Sequence, residues 1–92
     1  MRHHLAILLS TALLSACSGN PLSGVAQHCE SGLRVAYQEL NFARTNGFSG
    51  SVEYTKAAGL LTAAKIQYEF GKYPNCVNKV NRARAFIRKS QG

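Results

Sequence analysis

The chain has 92 residues, 46% of them hydrophobic, and a formal net charge of +7. That length allows one small domain. With four carboxylates and three histidines in all, the paired acids, nucleophile–base couple or metal cluster that catalysis needs is not expected.

Met1-Arg2-His3-His4 opens the chain with a start amine and an arginine, and Leu5 to Leu14 (LAILLSTALL) is an uncharged apolar run of ten residues. A helix needs about 20 such residues to cross a hydrocarbon core, whereas the 7–15-residue apolar stretch of a secretory signal fits the run. It ends in Leu14-Ser15-Ala16-Cys17. Small residues at 15 and 16 let an extended backbone enter a peptidase, and a thiol is the nucleophile that accepts a diacylglyceryl group.

This segment resembles the signal and lipobox of a bacterial lipoprotein. The resemblance implies residues 1–16 as a cleaved signal peptide and Cys17 as the lipidated N-terminus. It also implies fatty acylation (palmitate is typical) of the new amine, and a cell-envelope location held by the lipid anchor. An ordinary secretory signal with a chance cysteine is the alternative. Ser18, rather than Asp, follows Cys17, which in enteric-type sorting resembles an outer-membrane address facing the periplasm. Two or more acyl chains anchor a protein stably where one is marginal.

Residues 17–24 form a polar Gly/Pro/Ser stretch that reads as a lipidated tether. Fully extended it reaches roughly 25 Å. With Cys17 assigned to lipid, Cys29 and Cys76 remain, in a compartment that permits disulfides. A bond between them is expected; two thiols buried separately as small apolar residues are the competing reading. The bridge would close a loop worth about 3–4 kcal/mol in chain entropy. His28 beside Cys29 reads as a solvated neighbour, and no metal or cofactor is expected.

Three helices are expected over about 25–46, 51–70 and 74–89, an all-α three-helix up-down-up domain. In the first, Ala26, Cys29, Leu33, Ala36, Tyr37, Leu40 and Ala43 recur at three- and four-residue steps. Gly47 supplies a left-handed stop. Ser51 is the N-cap of the second helix and Glu53 opposes its dipole. That helix carries two apolar faces, one of Tyr54, Ala57, Ala58, Leu61, Ala64 and Tyr68, the other of Leu60, Ala63, Ile66 and Phe70. It is therefore expected to lie in the middle of the packing, with Gly59 at a close backbone approach. Pro74 suits the first turn of the third helix, whose buried stripe is Cys76, Val80, Ala83 and Ile87, with Val77 and Phe86 flanking. Parallel first and third helices bring Cys29 and Cys76 to one level.

Leu60, Ala64, Gly71, Tyr73, Cys76, Val80 and Ala83 follow the spacing of a tetratricopeptide-like helical hairpin, which the segment resembles over about 24 residues. Gln67 replaces that pattern's large aromatic and Arg88 its proline. The resemblance implies close hairpin packing and a protein-binding role.

After Glu69 the chain holds no acid, while Lys72, Lys79, Arg82, Arg84, Arg88 and Lys89 follow. These six are the candidate anion-binding residues. Lipopolysaccharide phosphates, anionic lipid, peptidoglycan carboxylates or an acidic patch on an envelope protein would be attracted; a solvated face is the alternative. Nucleic acid is not expected, because no aromatic residues interleave with the cations as a stacking platform. The functional expectation is a non-enzymatic protein-binding or structural envelope component, with electrostatic capture of an anionic polymer or lipid as the alternative.

Overall fold

The computed structural model describes residues 23–92, and these fold as three helices: α1 (Ser23–Thr45), α2 (Val52–Glu69) and α3 (Tyr73–Ser90). The apolar run and Cys17 lie outside the described residues. Helix α1 begins at Ser23, so the last two positions read as tether belong to its first turn.

Each helix ends where local chemistry stops it. Gly47 and Gly71 take positive φ, 88° and 74°, a region a Cβ disfavours. At the first stop, the Phe48 amide donates to the Ala43 carbonyl (3.0 Å) and the Gly47 amide to that of Arg44 (3.1 Å). At the second, the Lys72 amide donates to Gln67 (2.8 Å) and the Gly71 amide to Tyr68 (3.0 Å). Both are Schellman closures, which satisfy carbonyls that a helix end leaves without partners. Ser51 caps α2 by accepting from the Tyr54 amide at 3.1 Å. Pro74 stands in the first turn of α3, where its missing N–H costs no hydrogen bond.

Cross-links along the helices define the topology. Cys29 and Cys76 form a disulfide with Cα atoms 5.7 Å apart, within the usual span of such bonds. Deeper in, a Cβ at Gly32 would meet Val80 Cγ1 at 3.1 Å, and Glu39 pairs with Arg84. Residue numbers rise together along α1 and α3, so those helices are parallel. Helix α2 runs against both: the Tyr68 hydroxyl donates to Glu30 Oε2 at 2.8 Å, and the Tyr68 and Tyr73 rings lie 5.7 Å apart. The architecture is the expected up-down-up bundle.

The core joins one stripe from each helix: Cys29, Leu33, Ala36, Leu40 and Ala43; Ala57, Leu61 and Ala64; Cys76, Val80, Ala83 and Ile87. Alanines and glycine let the axes approach, and the two sulfurs fill the α1–α3 seam near its start. Two expectations need correction. Helix α2 is not central: only its Ala57–Leu61–Ala64 face is buried, while Ile66, Phe70 and Val52 are 46, 74 and 63% exposed. Three helices surround a single core line, which asks for one buried face from each. Gly59 makes no close approach either. A Cβ there would meet nothing within 4 Å, and the glycine that lets helices close is Gly32.

Candidate functional site: the groove between the second and third helices

The six candidate anion-binding cations divide when α3 takes its place in the bundle. At about 100° per residue, Arg84 and Arg88 turn toward α1. Arg84 donates from Nε to Glu39 Oε1 at 2.8 Å and from Nη2 to Oε2 at 2.9 Å, a fork that matches a carboxylate. The hydrogen bonds from Arg84 hold the Glu39 carboxyl below its ordinary value, against partial burial and with added attraction from Arg84 and Arg88. The same bonds raise the Arg84 guanidinium further. This is the one salt bridge among the described residues. Arg84 is thus occupied in joining α1 to α3. Lys72 lies in the α2–α3 turn, seventeen residues before Lys89, roughly 25 Å along a helix axis.

The other three, Lys79, Arg82 and Lys89, lie toward α2, and there they meet a residue the sequence pattern did not single out. Lys56 Nζ sits 5.4 Å from the centroid of the Phe86 ring, and Lys89 Nζ sits 5.9 Å from it. Both distances suit attraction between a cation and a ring face. Lys56, Gly59, Leu60, Arg82 and Phe86 line a shallow groove of about 440 Å³ between α2 and α3. Phe86 is also a wall of a neighbouring hollow lined with Ala85, Arg88, Lys89 and Gly92. Lys79, seven residues before Phe86, falls on the same side of α3 two turns back. Lys56 was legible as a flank of the second apolar face, one turn before Leu60. What could not be read was that α3 would bring Phe86 against it.

The groove therefore offers apolar surface from Leu60 and Phe86, a backbone left bare at Gly59, and a cationic rim of Lys56, Arg82 and Lys89. None of these cations is within salt-bridge distance of a carboxylate. It contains no thiol, hydroxyl nucleophile, carboxylate or imidazole. Among the described residues no three His, Cys, Asp or Glu side chains are grouped to hold a metal, and no helix is long and apolar enough to cross a membrane. In composition the groove is complementary to a ligand that carries both apolar side chains and carboxylates. No protein-family model, curated protein or solved structure matches this chain.

Proposed function

We propose that this chain is a lipid-anchored protein of the bacterial envelope, held through Cys17 in the outer membrane and facing the periplasm. It binds a partner protein, without catalysis, in the groove between α2 and α3. The anchor rests on the run Leu5–Leu14 followed by Leu14-Ser15-Ala16-Cys17. The binding role rests chiefly on one observation: partly buried Leu60 and Phe86 line an open groove beside a bare Gly59, ringed by Lys56, Arg82 and Lys89.

A solvated charged face does not need an aromatic ring under its ammonium groups or a glycine in mid-helix. Gly59 costs α2 about 1 kcal/mol relative to alanine, and no contact within the bundle requires it. A partner backbone lying close against α2 would. The fitting ligand is an acidic, amphipathic segment with its apolar side chains on Phe86 and Leu60 and its carboxylates on the rim.

The test is site-specific photo-crosslinking in intact cells, with a photoreactive phenylalanine analogue at position 59 and, for comparison, at exposed Gln27 on α1. Position 59 should give one discrete protein adduct, absent at position 27 and lost when Lys56 and Arg82 are both changed to glutamate. Identical adducts from both positions, or none from 59, would contradict the groove. Salt-sensitive co-sedimentation with lipopolysaccharide or peptidoglycan, without a protein adduct, would assign the cations to an anionic polymer instead.

A further inference from the structure

One end of the bundle collects α1's start, α2's end and α3's start, and the disulfide Cys29–Cys76 closes it from below. Phe70 is 74% exposed there, the most exposed large apolar side chain among the described residues, with Ile66 one turn behind it and Val25, 38% exposed, in the first turn of α1. The turn itself reads Phe70-Gly71-Lys72-Tyr73-Pro74: two aromatic rings, a lysine between them and a proline. Gly24, Val25, His28, Pro74 and Val77 frame an open hollow of about 420 Å³ at this end. Val25 and Pro74 share its rim, which places the first turns of α1 and α3 side by side.

These residue types partition into the membrane–water interface: aromatic rings lie at headgroup depth, and a lysine stem lies along apolar surface with its ammonium among phosphates. The chain enters at this same end. Cys17 precedes Ser23 by six residues, which span at most about 20 Å when fully extended. The opposite end of α2 also exposes an apolar residue, Val52 at 63%, but it stands seventeen residues from Glu69, roughly 25 Å along the helix. Its turn, Asn46-Gly47-Phe48-Ser49-Gly50-Ser51, holds one partly buried ring and no cation. Phe42, 59% exposed, lies on α1 toward that end, so what separates the two ends is where the chain enters.

We propose that the Phe70–Pro74 turn, with Ile66 and Val25, docks on the bilayer that holds the Cys17 lipid. The domain then stands upright on the membrane with α2's start and the Phe86 groove pointing away from it. This orientation rests on the lipid-anchor reading and adds to it. A lipid anchor alone leaves open which face is presented, whereas a docked tip fixes it. Glu69 is the exposed carboxylate nearest the tip. It precedes Phe70 by one position and lies about 100° around the helix from it.

The chain contains no tryptophan, so a single introduced one is an unambiguous reporter. The full-length, processed protein carrying Phe70→Trp or Val52→Trp is reconstituted into phosphatidylethanolamine–phosphatidylglycerol vesicles with brominated acyl chains. Both positions are exposed, so both variants keep the core. Trp at 70 should lose at least about half of its emission, as interfacial aromatics reach the acyl boundary, while Trp at 52 is unchanged. Equal quenching at the two positions overturns docking. A blue-shifted but unquenched Trp at 70 also overturns it and assigns the tip to protein, either a partner or a second copy. The intact mass of the same samples separates this outcome from failure of the anchor. An acyl adduct with equal quenching leaves the anchor standing and removes only the docking; a mass without the adduct removes both.

Discussion

At the scale of single residues, two glycines in mid-helix do opposite things. Gly59 has open space where a Cβ would stand, whereas at Gly32 the added carbon would lie 3.1 Å from Val80. Gly59→Ala should therefore raise stability by about 0.5–1 kcal/mol from helix propensity. Gly32→Ala gains less or loses, because Val80 must give way; paired thermal melts measure the difference. The Glu39–Arg84 pair leaves side chains 36 and 37% exposed, and solvent on both limits it to under about 1 kcal/mol. Because the Glu39 carboxyl is held below its ordinary value, its contribution is full above that ordinary value and is lost as pH falls through the depressed one. Glu39→Gln should flatten the acid limb of a stability–pH profile. Tyr68 shifts the other way: its hydrogen bond to Glu30 raises the phenol. That contribution is present below the ordinary tyrosine range and fades as pH climbs through the raised value. Tyr68→Phe should remove this alkaline dependence and leave the acid limb as it was.

At the scale of elements, much was legible because the signals are local. Gly47, Ser51 and Pro74 mark helix ends through φ, capping and a missing donor, and the buried stripes of α1 and α3 follow from 3.6-residue spacing. The disulfide was legible through elimination and level: once Cys17 is set aside, parallel helices bring the remaining two sulfurs together. Helix α2 was misread because periodicity reports apolar faces without reporting neighbours. Its second face, Leu60, Ala63, Ile66 and Phe70, has the composition of a core stripe, yet Leu60 is only partly buried and Ile66 and Phe70 are exposed. The six candidate cations divide among neighbours for a related reason. Residues 82, 84, 88 and 89 are close in sequence, but successive positions turn by 100°, so Arg84 and Lys89 face different neighbours. Reducing the disulfide, or replacing both cysteines with alanine, should cost about 3–4 kcal/mol. Denaturant melts of the oxidised and reduced protein measure it, and a difference under 1 kcal/mol would show that the three apolar stripes suffice alone.

At the scale of the whole molecule, the proposed anchor, tip and groove lie in one order along the bundle. In this proposal lipid would enter at the end closed by the disulfide and the Phe70 turn would meet the bilayer, while Phe86 with its cations lies toward the far end. The proposed binding would need no moving part, since α2 and α3 already hold Leu60, Phe86, Lys56 and Arg82 in place. Cys17→Ala should release the protein from tight membrane association; unchanged fractionation would contradict an acyl anchor. The most direct test is the intact mass and N-terminal tandem mass spectrum of the protein isolated from its own membranes. The account predicts a mature chain that begins at Cys17, carries a thioether diacylglyceryl group and lacks residues 1–16. A chain with an unmodified Cys17, or one that keeps residues 1–16, would contradict it.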